Sequence, residues 1–232
     1  MGQKQGGLKG RWNKIALVSI GNVIMGVILQ ATIEYILTDV LHMRSALKVT
    51  IFFPMPWGIA KDVLLGLLFR DILTYVLHRY ALHSNNLAAA DLHRKWQHAV
   101  PAPYSLVAHF DHPLPYLLHI FFPTYIPAVS FRFHLLTYCI YLSLISLEET
   151  FAYSGYNVMP SGFILGGIAR RQERHLMGSE SGNYGCYGFS DLIAGTSLGS
   201  DVLDDMRDQK AISDDQAGSK GRAKAKTVRK KK

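Results

Sequence analysis

The chain reads as an all-α integral membrane helical bundle, with up to four membrane segments and a histidine-rich helical cap on the cytosolic side. Three observations lead there. Apolar residues gather into long runs, Lys and Arg crowd both ends, and six of the ten histidines fall within residues 78–112 of the 232. A chain of this length can bury a substantial core as one domain. The expected divisions are a basic segment at 1–14, a membrane hairpin at 15–70, a histidine-bearing domain at 71–196 and a charged, disordered tail at 197–232.

The first run, IALVSIGNVIMGVILQATIEYIL at residues 15–37, is long enough at about 1.5 Å per residue to cross a hydrocarbon core of roughly 30 Å. A signal peptide would have an apolar region of only about 7–15 residues. A mixed polar connector follows at 38–50, and Pro54 and Pro56 then separate IFFPMPWGIA from a second apolar helix at 63–77. In that helix Asp71, Tyr75 and His78 fall at i, i+4 and i+7, on one face. An acidic group inside an apolar run is costly and is usually functional. The plainer reading is an Asp71 that pairs with Arg70 or faces a water-filled cavity.

Beyond the histidines, two more apolar stretches flank Arg132. Pro115, Pro123 and Pro127 mark the first as kinked or re-entrant, while residues 135–147 suit one arm of a helical hairpin. From Ser154 the chain turns polar and glycine-rich, as a cap with turns would. The tail after Ser200 is charged and lacks aromatics, which predicts disorder. No solenoid-type repeat is present.

The net charge of +8 is concentrated at Lys4, Lys9, Arg11 and Lys14 and in the tail that ends RKKK. Basic flanks beside a span mark its cytosolic side, so both termini and the histidines are expected on that face; Arg44 and Lys48 pull the other way. Nucleic-acid binding is not expected, because the aromatics lie in the apolar body and not among the basic residues. Cys139 and Cys186 sit in unlike settings and suggest no disulfide framework.

The histidines form two similar pairs, His78 and His83 in HRYALH and His93 and His98 in HRKWQH. Neutral imidazole offers one nitrogen to a metal while the other is fixed by a hydrogen bond. On a regular helix this i, i+5 spacing turns the two side chains about 140° apart, against about 40° for i, i+4. Chelation therefore calls for a π-bulge or a frayed helix end, or for each member to address a different metal. His109 and His112 precede Pro113 and suit a turn as well as ligation. His119 and His134, in apolar runs, read as interfacial or core residues.

These motifs resemble the fatty acid hydroxylase and sterol desaturase superfamily of membrane non-haem di-iron oxidoreductases. The resemblance covers roughly residues 71–196. Asp71, Tyr75, His78 and His83 match its first box, and His98, Pro103 and His112-Pro113 match parts of the second. Glu148, Ser154, Gly155, Tyr156 and Asn157 fall in register with a later run, and His175, Asn183-Tyr184-Gly185, Asp191 and Gly195-Thr196 with the closing motif. Gln97, Tyr153, Arg171 and Arg174 stand where the family has histidines. A guanidinium has no lone pair to offer a cation.

The resemblance implies an iron-dependent, O2-using enzyme of the endoplasmic reticulum membrane that hydroxylates or desaturates a lipid, sterol or similar apolar substrate. Its electrons would come from NAD(P)H through a cytochrome b5-type carrier. Its ligands would be His78, His83, His93, His98 and His175, with His112 a sixth candidate, and Asp71 and Glu148 would orient them. Two irons are implied by the resemblance, or one if the arginines displace a metal. Two alternatives stay open: a catalytically degenerate relative that binds a lipid or a partner enzyme, and a zinc-bound structural or hydrolytic site.

Overall fold

The computed structural model describes residues 2–100, 104–155, 164–177 and 182–198. Pro103, Tyr156, Asn157 and the tail beyond 198, with its terminal RKKK, lie outside them. Helices α1 (Gly2–Tyr35), α2 (Pro56–Leu77), α3 (Ala88–Trp96), α4 (Pro113–Tyr116), α5 (Phe122–Ser130), α6 (Leu135–Ala152), α7 (Ile164–Met177) and α8 (Phe189–Ala194) form an all-α bundle. An isolated bridge between Lys48 and His134 ties the first connector to the start of α6.

Among the described residues, two helical stretches, Trp12–Val40 and Leu135–Ala152, are long and apolar enough to cross a membrane. Four such segments was the upper expectation. Helix α2 carries Lys61, Asp62, Arg70 and Asp71, which dilute its apolar character. Pro56 occupies its first turn, where a missing N–H costs nothing. Exposed side chains such as Leu17, Val27, Ile28, Leu64 and Leu147 cover the outer faces of α1, α2 and α6, as lipid-facing residues would.

The proline-rich stretch, read from sequence as kinked or re-entrant, is helical with an irregular turn in its middle. Helix α4, a π-helical turn at Leu117–Phe121 and α5 run on continuously. Pro113 and Pro115 fall in the first turn, where N–H groups have no intrahelical acceptor. Pro123 leaves the His119 carbonyl without its usual donor, and the adjacent wide turn, closed by Phe122 N–H to the Leu117 carbonyl, takes up the irregularity.

The main core packs Phe133, Tyr138, Tyr141 and Ile145 against Val63, Phe121 and Tyr125. Gly66 permits this approach, because a Cβ there would stand 2.8 Å from the Phe133 ring and 2.9 Å from Tyr141. A second cluster of Val107, Phe110, Ala152, Tyr153, Ile168 and Leu176 binds the histidine-bearing segment to α6 and α7. Helix α1 joins the same end through Ser19, which donates to the Leu106 carbonyl at 2.7 Å, and through Asn22, which donates to the carbonyls of His109 and Asp111, each at 2.9 Å.

Candidate metal centre

The i, i+5 pairs converge because the backbone abandons α geometry where they occur. After α2 the chain makes a π-helical turn at His78–Leu82, closed by His83 N–H to the His78 carbonyl at 3.0 Å. Five residues then return nearly to the same side of the helix. The Nε2 atoms of His78 and His83 lie 3.2 Å apart. Helix α3 instead tightens into a 3-10 turn at Gln97–Ala99, and the rings of His93 and His98 stand 5.0 Å apart. Helix α7 brings His175 within 4.5 Å of the His78 ring and 4.9 Å of the rings of His83 and His98. One nitrogen from each of these five histidines lies within 4.8 Å of the others.

Hydrogen bonds on the outer side of the cage choose which nitrogen faces inward. The Nδ1 of His78 donates to the Tyr184 carbonyl at 2.9 Å, and that of His175 to the Gly182 carbonyl at 2.7 Å. A carbonyl can only accept, so both rings carry their proton on Nδ1 and aim a bare Nε2 lone pair inward. His93 Nδ1 meets Asp111 Oδ2 at 2.5 Å. Burial lifts the Asp111 carboxyl to about 8; a metal that took the His93 Nε2 lone pair would leave the ring's proton on Nδ1, with Asp111 placed to accept it.

Burial, reinforced by neighbouring histidines, lowers the cage pKa values. His78 and His93 fall well below the usual imidazole range, His83 falls to about 2 and His175 to about 3. Neutral imidazoles therefore converge, with His78 Nε2 at 3.3 Å from His93 Nε2 and His175 Nε2 buried without a hydrogen-bond partner. At 3.2–3.3 Å these Nε2 atoms can share protons as hydrogen bonds, and a cation would take their lone pairs in place of those protons. The donor set fits a metal ion that accepts imidazole.

Asp71 does not touch the histidines or Arg70. Its buried carboxylate accepts from the N–H groups of Tyr187 at 2.7 Å, Gly188 at 3.3 Å and Ser190 at 3.0 Å, and from Ser190 Oγ at 2.8 Å. Asp191 does the same for Tyr184 N–H at 2.9 Å and Gly185 N–H at 2.7 Å. The two aspartates clamp the loop whose Tyr184 carbonyl holds His78. Gly185 is needed between them, since a Cβ there would lie 2.9 Å from Asp71 Oδ1. Glu148 faces Arg70 at 2.6 Å, not the cage, and Arg70 also holds Glu149 at 2.8 Å.

His112 stands apart from the other ligand candidates. It caps α4, accepting Leu114 N–H on Nδ1 at 3.3 Å, and its ring leans on Trp96. His134 caps α6 in the same way through Leu136 N–H. His119, read from sequence as interfacial or core, has its ring 4.2 Å from that of His78, and with His93 and Asp111 it offers a second convergent donor group. An ionisable residue in an apolar run was its signal. The sequence reading also missed Asp111 and Glu149; Asp111 is flagged only by carboxylate support of a histidine.

The residues that replace family histidines are occupied elsewhere. Arg171 bonds Asp191 at 3.1 Å and Ser197 at 2.9 Å, and Arg174 bonds the Leu198 carbonyl at 3.3 Å. The Tyr153 hydroxyl accepts from Gln97 at 3.3 Å and from Gln172 at 2.7 Å. Burial pushes the Tyr153 phenol well up from its ordinary pKa, which keeps it protonated.

The sequence profile described as fatty acid hydroxylase matches residues 63–196. The chain belongs to the fatty acid hydroxylase family. The match contains all five cage histidines and the loop clamped by Asp71 and Asp191. This fatty acid hydroxylase relative is 31% identical over 103 residues to the very-long-chain aldehyde decarbonylase GL1-9 of Oryza sativa, in both subspecies indica and japonica. It is 31% identical over 105 residues to sphinganine C4-monooxygenase 2 of Arabidopsis thaliana. Each match covers 44% of this chain, which spans 39% to 40% of the length of those relatives. No solved structure matches the chain.

Proposed function

We propose that this protein is a membrane-bound, iron-dependent oxidoreductase that uses O2 to hydroxylate or desaturate a lipid, sterol or similarly apolar molecule. The observation that carries the reading is the convergence of His78, His83, His93, His98 and His175 at one end of a bundle with apolar outer faces. Family membership supports the oxidative, lipid-directed class. Iron held by these imidazoles would supply O2 activation. The chain's own work is to fix the ring nitrogens through Tyr184, Gly182 and Asp111, and to keep the site dry. Either outcome consumes two external electrons and two protons for each O2. We assign that supply to NAD(P)H through a cytochrome b5-type carrier meeting the cytosolic face of the endoplasmic reticulum membrane.

The residues favour one ion over two. Where the resemblance calls for further imidazoles, Gln97 donates to the Tyr153 hydroxyl, which Gln172 also engages, and both arginines are tied to the 191–198 segment. Metal analysis of the purified chain, followed by incubation with NADPH, a b5-type reductase system and long-chain lipids, tests the reading. One iron per chain and an oxidised lipid are expected. Metal-free protein that still binds lipid would establish the degenerate alternative, and tightly bound zinc without O2 consumption the structural or hydrolytic one.

A further inference from the structure

The connector between α1 and α2 carries an apolar run that the rest of the protein leaves uncovered. Val49, Ile51, Phe52, Phe53, Met55 and Trp57 are all exposed within residues 49–57, and Ile51, Phe52, Phe53 and Trp57 each lie between 78% and 89% exposed. A contiguous patch of this kind marks an interaction surface. The run is held in place. Lys48 N–H donates to the Phe133 carbonyl at 2.8 Å, Leu135 N–H donates to the Lys48 carbonyl at 3.0 Å, and His134 Nε2 donates to the Thr50 carbonyl at 3.3 Å. The chain is therefore fastened to the start of α6 as far as Thr50. Beyond it, Pro54 and Pro56 keep the backbone extended, with Met55 at φ −60° and ψ 141°.

Its place along the bundle says what covers it. Helix α2 has 22 residues, which makes it about 33 Å long, and His78 of the cage follows its last residue. The run and the cage thus stand at opposite ends of a helix that matches a hydrocarbon core of roughly 30 Å. The exposed Ile36 and Val40 after α1, and Leu64, Leu65 and Leu68 on α2, continue the lipid-facing surface into it. Four exposed cations, Arg44, Lys48, Lys61 and Arg132, surround the run against two acids, Asp39 and Asp62. That surplus suits phosphate. Arg44 and Lys48, which oppose the charge bias of the termini, so gain a partner. Irregular backbone is not tolerated in hydrocarbon, so the run stops at the headgroup and upper acyl layer. A second copy of the chain fits less well, because a stable protein interface uses about 20–30 residues a side.

Resting only on the membrane-bound part of the reading above, we infer that residues 49–57 are a lipid-inserted wedge, seated in the headgroup and upper acyl layer of the leaflet opposite the histidine cage. Arg44, Lys48, Lys61 and Arg132 meet the phospholipid phosphates around it. Because Trp57 lies in the first turn of α2, the wedge also fixes the depth of that helix, and with it the height at which His78 stands in the other leaflet.

Fluorescence quenching by nitroxide-labelled phosphatidylcholine tests this on the full chain in nanodiscs that hold a single copy, where both membrane faces are open to water. An NBD label is placed at Phe53→Cys, at Ile28→Cys midway along α1, or at Asn85→Cys in the exposed loop beside the cage. The background is Cys139→Ala, whose own labelling is subtracted. Phe53→Cys should report a depth of roughly 5–10 Å below the phosphates, Ile28→Cys a greater one, and Asn85→Cys no quenching by lipid. Adding Ile51→Asp and Phe52→Asp, at two highly exposed positions, should lift the Phe53→Cys label into water and remove most of its quenching. Discs that hold two copies should give the same depth. A Phe53→Cys label quenched no more than that at Asn85→Cys, or shielded only when two copies share a disc, overturns the proposal. An unquenched Ile28→Cys label overturns the membrane reading together with it, so the two failures are told apart. Iron content and turnover do not enter the measurement.

Discussion

At the scale of the residue, the cage depends on imidazoles kept neutral by burial. His83 and His175 are lowered from the ordinary 6.5 to about 2 and about 3, so between pH 6.5 and those values the unfolded chain binds more protons than the folded one. Stability is full above about 6.5 and is lost as pH falls through this window. Thermal unfolding in detergent from pH 7.5 down to 4.5 should show a steep fall in Tm, and a flat profile would contradict neutral buried histidines. Bound metal gives a second residue test. His78→Ala and His83→Ala should each remove the metal, whereas His112→Ala and His134→Ala, which delete helix caps worth about 1 kcal/mol, should retain it. Elemental analysis of the four variants decides this, and uniform loss would point to unfolding instead.

At the scale of the element, irregular helices do the positioning. The π turn at His78–Leu82 and the 3-10 turn at Gln97–Ala99 rotate each second histidine into the cage, and the turn at Leu117–Phe121 carries His119 beside them. The close contact of α2 with α6 offers a clean test. Gly66→Ala forces a methyl into the Phe133 and Tyr141 rings and should destabilise the bundle by about 1–3 kcal/mol. Gly21→Ala on α1 meets nothing within 4 Å and should be neutral or stabilising by about 0.5–1 kcal/mol. Paired unfolding curves in one detergent would compare them. The loop between α7 and α8 depends on Asp71, and Asp71→Ala strands three backbone donors in a protein interior. Lost metal binding is expected, because the Tyr184 carbonyl that fixes His78 is then free to move.

At the scale of the whole molecule, the early part of α1, the turn at Ser105–His109 and the histidine cage share one end of the bundle. If the basic N-terminus is cytosolic, the cage faces the cytosol too. Tags at both termini should be digested by protease in sealed microsomes, and a cysteine introduced at the exposed Phe53 of the opposite connector should resist membrane-impermeant thiol reagents added outside. A protected terminal tag would overturn this orientation.

The helical class, the apolar first span, the histidine boxes and the family were legible in the sequence, because each is a local pattern of spacing or an ordered set of short motifs. The five-histidine cage was legible as residues but not as a geometry. Its i, i+5 pairs misalign on a regular helix, and only packing selects the π and 3-10 turns that align them. Long-range contacts made the remaining choices. His112 and His119 both lie near prolines, yet the N–H of Leu114 claims the first as a cap, while the turn around Pro123 delivers the second to His78. Asp111 supports His93 across 18 positions, and Asp71 reaches the 187–190 loop across 116 to 119. Arg171 and Arg174 look like intruders in a metal site until the 191–198 segment folds over them, pairing Arg171 with Asp191 and giving Arg174 the Leu198 carbonyl. A side chain's chemistry is written in its own residue, but its partner is chosen by what the tertiary fold brings within a few ångströms.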